Sequence, residues 1–264
     1  MSRISDKFDA LRRVGKKALI PYIMAGDPDM AVTSELILRM EKDGADIIEL
    51  GVPFSDPLAD GPTIQRAGIR ALANGVKLRD VLSLVKDVRR KTQIPIILML
   101  YYNLVFAHGE EKFVRDAISA GVDGVIIPDL PPEEAGNISA MAEKASFDII
   151  FLLAPTSSED RIRLIVEKSA GFIYYVSLTG VTGARRDLDK GIESAIRKIK
   201  KMTDKPVCCG FGISGPEQAA RVAGWADGVI VGSAIVGLIE KSGKAVSVSK
   251  AGRFVKGLKQ AIGG

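Results

Sequence analysis

The chain has 264 residues, of which 47% are hydrophobic and 26% charged, the proportions of an ordinary globular protein long enough to bury one large core. Its net charge of +5 is spread along the sequence, which points away from a nucleic-acid patch. The longest apolar stretch, residues 96–106, is broken by Asn103 and falls short of the roughly 18–20 residues of a membrane span; with no apolar signal region at the N-terminus, the expected location is the cytoplasm.

In chain order, Ile4, Phe8 and Leu11 recur at helical spacing among charges, predicting an amphipathic N-terminal surface helix. Eight short apolar, β-branched runs then alternate with helical segments: residues 18–23, 47–50, 96–100, 124–127, 149–153, 173–176, 207–210 and 228–231. Most are continuously apolar, as parallel strands buried on both faces must be. Between them, Leu36, Ile37 and Met40 form one inward stripe and Val81, Leu84, Val85 and Val88 another, Pro62 suits a first helical turn, and Ser157 to Asp160 reads as a capping box. Arg197 to Lys201 is the densest basic run, but Ile192, Ile196 and Ile199 keep helical spacing through it, so it reads as a solvated helix face.

Eight strand and helix units in one unbroken series predict an α/β fold, a (β/α)8 TIM barrel spanning residues 1–264 as a single domain. An extra N-terminal helix and additional helices after strands 2 and 8 are expected. Two connections are long, the one after Leu50 and residues 177–189 after Val176. Both leave the C-terminal ends of strands, where barrels bind substrates and form lids.

The second run ends in Glu49-Leu-Gly-Val-Pro-Phe-Ser-Asp-Pro-Leu-Ala-Asp60. A carboxylate at the end of a buried strand loses hydration, which raises its pKa and makes it a usable proton carrier near neutrality. Taken alone, these acids read more readily as solvated loop acids or salt-bridge partners than as a reaction site. Glycine-bearing segments follow strands six, seven and eight: Gly180 to Gly183, Gly210 to Ser214, and Gly232 to Ile235. Three in succession predict a phosphate site, since glycine lets backbone N–H groups approach an anion and the helix opening at Gly232-Ser233 adds its positive end. The opposite side of the mouth is then left for the reacting part of the substrate, beside Glu49 and Asp60, which suits proton transfer or carbon–carbon cleavage.

Tyr22, Leu100, Tyr102, Ile126 and Tyr174 lie near strand ends and are candidates for an apolar pocket. If strand geometry persists, Leu100 and Tyr102 share a face and Tyr101 points the other way. The sole histidine, His108, has no histidine or cysteine nearby and reads as a helix-end residue; adjacent Cys208 and Cys209 read as buried thiols. No metal-ligand spacing stands out. A phosphosugar isomerase would share the barrel and its phosphate loops.

Along essentially its whole length the chain resembles the tryptophan synthase alpha subunit family. The segment from Glu49 to Gln65 carries the likeness most specifically, supported by Ala25 to Pro28, Tyr102-Asn103, Pro128 to Pro131 and the three glycine segments. The resemblance implies cleavage of indole-3-glycerol phosphate to indole and glyceraldehyde 3-phosphate, with Glu49 and Asp60 catalytic. It implies substrate contacts from Tyr174, Thr182, Gly183, Gly212, Gly232 and Ser233, Thr182 belonging to a closing loop; Tyr22, Leu100, Tyr102 and Phe211 are the further substrate-binding candidates. Pro53, Phe54 and Asp56 are expected to face a beta subunit in an α2β2 assembly. No metal or organic cofactor is implied for this chain; pyridoxal phosphate is expected only in the beta subunit.

Overall fold

The computed structural model describes residues 2–176, 185–210 and 212–263. Helix α1 (Arg3–Arg13) precedes β1 (Ala18–Met24), α2 (Met30–Lys42) and β2 (Ile48–Gly51). Two helices follow, α3 (Pro62–Ala73) and α4 (Leu78–Val88), before β3 (Ile96–Met99). After β3 come α5 (Tyr102–His108), α6 (Glu110–Ala120), β4 (Gly124–Ile126) and α7 (Gly136–Lys144). The next strand is in two pieces, β5 (Asp148–Ile150) and β6 (Leu152–Leu153), followed by α8 (Glu159–Lys168), β7 (Ile173–Val176) and α9 (Arg185–Lys200). The series ends with β8 (Val207–Gly210), α10 (Pro216–Ala223), β9 (Gly228–Val231), α11 (Ser233–Glu240) and α12 (Lys244–Ala261).

Every strand pairing is parallel, in the order β5-β4-β3-β2-β1-β9-β8-β7-β6. The two ends of that order, β5 and β6, flank Phe151 in a single run. One half of the run pairs with β4 and the other with β7, so the fifth barrel strand joins the two edges. The architecture is therefore the expected (β/α)8 barrel, with two helices after β2 and two after β9. The connection after β7 is shorter than the sequence suggested, because α9 already begins at Arg185; residues 177–184 lie outside the described residues.

Strand alternation divides the core in two. Leu19, Ile48, Leu98 and Val229 face the helices, whereas Ile20, Ile47, Ile97 and Ile230 face the barrel interior. Ile4 and Phe8 of α1 belong to the interior cluster, and Phe8 packs its ring 5.7 Å from that of Phe172. The N-terminal helix is amphipathic as expected, with Arg3, Asp6, Arg12 and Arg13 exposed, and its apolar face plugs the barrel from below, a partner the sequence does not name. Ser2 caps this helix through Ser5 N and also donates to Asp148.

A device not anticipated from the sequence ties the strands together at that same end. Asp46, Asp123 and Asp227 stand just before β2, β4 and β9, and their carboxylates accept the backbone N–H of Leu19, Ile96 and Val207 at 2.7–3.0 Å. Lys259, Arg89 and Lys200 respectively neutralise them. Each acid satisfies a backbone donor at or beside the start of a strand and closes an ion pair, tying the lower rim together at the end opposite the one that carries chemistry.

The capping box read at Ser157 to Asp160 shifts by one residue: Ser158 is the cap of α8 and accepts from Arg161 N. His108 closes the short helix α5 with its Nε2 2.9 Å from Asp116. Cys208 and Cys209 are both buried, and neither is in a disulfide.

Candidate active site

A cavity of about 360 Å³ opens at the C-terminal ends of the strands, and Glu49, Asp60, Tyr22, Tyr174, Gly212, Gly232 and Ser233 all line it. Glu49 arrives on β2, in register with Tyr22 of β1, and alternation with Ile48 and Leu50 turns it inward. It is 1% exposed, and its Oε2 has no hydrogen-bond partner. Burial, reinforced by the nearby charge of Asp60, pushes its carboxyl up to about 8. At neutral pH it is a protonated acid facing the cavity.

Asp60 comes from the loop between β2 and α3, one residue before the Gly61 cap of α3. The loop is held by Asp60 N to Pro57 O at 3.1 Å and Gln65 Nε2 to Asp60 O at 2.9 Å. Burial raises the Asp60 carboxyl to about 6, against which a hydrogen bond from Tyr101 pulls it down. The same Tyr101 hydroxyl accepts Ala59 N–H at 2.9 Å. Two carboxyl groups in one cavity therefore differ by environment, the combination that separates a proton donor from a standing anion.

The opposite wall is built for an anion. Gly232 begins α11 without a side-chain cap, and Ile235 is the first residue there whose N–H returns to Gly232 O, so the N–H groups of Ser233 and Ala234 point out of the helix. Gly212 adopts φ of 74°, in the left-handed region that glycine favours. Ser214, also lining the cavity, gives both its N–H and its hydroxyl to Gln218 Oε1 at 2.7 Å.

Apolar contact comes from Ile64, Met99 and Ile230. Met99 lines the cavity, while Leu100 is buried among the residues facing the helices. Tyr102 opens α5 and donates its hydroxyl to Glu110 at 2.9 Å, away from the cavity lining. Leu100 thus takes the helix-facing side of the run and Met99 the inner one, while strand alternation ends where Tyr102 opens α5. Ile126 faces the barrel interior without lining the cavity. Thr182, Gly183 and Phe211 lie outside the described residues.

Around the mouth, Pro53 is buried, and Phe54 is half-buried and stacked on Tyr101 with ring centroids 5.2 Å apart. Asp56 is exposed, and Leu58, which the sequence reading did not single out, is 95% exposed. Such an apolar side chain at the rim suits a partner surface. Among the described residues no cluster of three or more His, Cys, Asp or Glu is arranged to hold a metal ion, and no helix is long and apolar enough to cross a membrane.

Behind the site, Arg70 of α3 makes paired hydrogen bonds of 2.8 Å to the buried Asp27 and one of 2.7 Å to Glu240 of α11. Arg66 adds bonds of 2.8 and 2.9 Å to Glu240. The two guanidinium groups hold the Glu240 carboxyl down at about 2. This network joins the helix that follows Asp60 to the helix whose N-terminus faces the anion wall.

Comparison with known proteins gives a consistent likeness. A family model described as tryptophan synthase alpha chain matches residues 8–263. The chain is 56% identical over 263 residues to the tryptophan synthase alpha chain of Geotalea daltonii, covering 99% of each, and 52% identical to that of Geobacter sulfurreducens over the full length of both. Its fold superposes on the crystal structure of tryptophan synthase subunit alpha from Legionella pneumophila with a TM-score of 0.93 at 40% identity, covering 99% of this chain and 98% of that one. A chain of Mycobacterium tuberculosis tryptophan synthase gives 0.90 at 38% identity, with the same coverage.

Proposed function

The chain belongs to the tryptophan synthase alpha chain family, and from that premise we propose that Glu49 and Asp60 carry its reaction. It is a carbon–carbon lyase of tryptophan biosynthesis that cleaves indole-3-glycerol phosphate to indole and glyceraldehyde 3-phosphate. The observation that supports the assignment best is the unpartnered Glu49 Oε2, buried in the same cavity as Asp60.

Cleavage requires an electron sink, which the indole ring becomes once its C3 is protonated and its nitrogen carries iminium character. Protonated Glu49 gives that proton to C3. The resulting carboxylate then removes the proton from the side-chain hydroxyl on the adjoining carbon. That O–H pair forms the aldehyde C=O, the C3–carbon bond breaks, and its electrons restore the indole ring. Asp60, ionised at neutral pH, accepts the indole N–H and stabilises the positive charge that builds on nitrogen.

Gly212, Gly232 and Ser233 take the phosphate at the N-terminus of α11, and Tyr22 and Tyr174 line the space between. Thr182, Gly183 and Phe211 join them on the family's pattern alone, with Thr182 in the closing loop. The ring supplies its own electron sink, so the reaction calls for no metal or organic cofactor in this chain. The partner is a tryptophan synthase beta subunit in an α2β2 assembly, where pyridoxal phosphate uses the indole. Asp56, Phe54 and the exposed Leu58 face it, with Pro53 shaping the loop from beneath. Residues 1–264 act as one barrel domain in the cytoplasm.

The test is indole formation from indole-3-glycerol phosphate, with and without beta subunit. Indole is expected in both cases, and none under either condition would sink the lyase reading.

A further inference from the structure

Tyr22 spans the cavity from one functional wall to the other. Its base lies at the anion wall: a methyl group placed on Gly232 would sit 3.5 Å from Tyr22 Cβ. Its tip lies at the acid wall: the same group placed on Gly51 would collide with the Tyr22 Oη. Gly51 and Glu49 share the inner face of β2, and Tyr22 and Glu49 are register partners on adjacent strands. The hydroxyl is thus held above the Glu49 carboxyl, on the side from which Asp60 enters. Among the described residues nothing hydrogen-bonds it, and the residue lines the cavity.

A substrate with its phosphate at Gly232 and its ring beside Glu49 and Asp60 must lay the carbon chain between them along the Tyr22 ring. The atoms of that chain that reach the acid wall are the hydroxyl-bearing carbon next to the ring and its oxygen. We propose that the Tyr22 hydroxyl is a substrate-contacting donor, hydrogen-bonding the oxygen that becomes the aldehyde while its proton passes to Glu49. No proton leaves Tyr22 in this step. The O–H pair of the substrate becomes the C=O bond, Glu49 takes the proton, and Tyr22 stabilises the negative charge that develops on oxygen in between. Burial and the charges of Asp60 and Glu49 keep the phenol protonated, as a donor must be. The assignment rests on the lyase reading given above and adds to it a role for one oxygen atom.

Tyr22→Phe removes that atom and leaves the ring in place. We expect kcat/KM for indole-3-glycerol phosphate to fall at least about tenfold, in the presence of beta subunit. Binding of indole-3-propyl phosphate, which keeps ring and phosphate but has no side-chain hydroxyl, should stay within about twofold of the unsubstituted chain. The proposal is overturned if kcat/KM is unchanged while the unsubstituted chain is active. Equal losses in turnover and in analogue binding would also overturn it, since they mark a packing defect. Absence of indole from the unsubstituted chain would overturn the lyase reading itself, and this assignment with it.

Discussion

The Tyr101 hydroxyl accepts Ala59 N–H at 2.9 Å and holds the Asp60 carboxyl below the pKa that burial alone would set, so a single phenol fixes the loop and tempers the acid it carries. Glu49 has no such support. Deeper burial of Glu49, together with this difference, leaves one group an anion and the other an acid at the same pH.

Tyr101→Phe should therefore move Asp60 further up. The Tyr101 hydroxyl lowers its pKa from the value burial sets, so removing it raises the pKa above about 6. Activity that needs ionised Asp60 will be lost at a higher pH on the acid side. A kcat/KM profile should show its acid limb displaced upward, with a larger deficit at pH 6.5 than at pH 8; parallel profiles would count against the link.

For Glu49→Gln a stability gain accompanies the catalytic loss. The folded-state pKa lies near 8, above the 4.5 of a free glutamate, so between those values the folded chain keeps a proton that the unfolded chain releases, and stability falls as pH rises. Glutamine has no charge to bury. Thermal unfolding should show Tm higher by roughly 5 °C in the variant at pH 8, the gap closing toward pH 4.5. A constant gap would show that the carboxyl does not titrate as described.

Gly51→Ala tests the packing that sets the Tyr22 ring. The added methyl group would displace the phenol tip, whereas at Gly61, also in the site, nothing lies within 4 Å of such a group. Loss of most activity is expected for Gly51→Ala, and near-normal kcat/KM for Gly61→Ala. Equal behaviour of the two in the indole assay would contradict the arrangement.

The helix clamp predicts unequal costs for two neighbouring arginines. Arg70→Ala strands the buried Asp27 carboxylate and should destabilise by roughly 3 kcal/mol. Arg66 is half-exposed and, among the described residues, bonds outward to Glu240 and Thr63, so Arg66→Ala should cost clearly less than Arg70→Ala. Urea unfolding midpoints at constant m-value measure both.

Much of this was legible in the residues because parallel strands buried on both faces leave continuous apolar runs, and Glu49 interrupts one of them. That same continuity hid the phase of β3: with Ile97 and Leu98 equally buried, hydrophobicity cannot say which face is interior. The register of β3 against β2, Gly51 beside Met99, supplies the phase and places Met99 and Tyr101 inward. The apolar stripe of α1 announced a buried face without naming the barrel floor as its partner, and the short helix α5 lay within a run read only as apolar. Asp46, Asp123 and Asp227 looked like loop acids because their partners are backbone N–H groups of strands up to 27 residues away.

If Glu49 moves the protons in carbon–carbon cleavage, indole formation from indole-3-glycerol phosphate, assayed with beta subunit, must collapse in Glu49→Gln. Glutamine keeps the size and the burial but can neither give the proton to C3 nor take it from the hydroxyl. A fall in kcat of at least about a thousandfold is expected, with indole-3-propyl phosphate still bound. Turnover equal to that of the unsubstituted chain would contradict it.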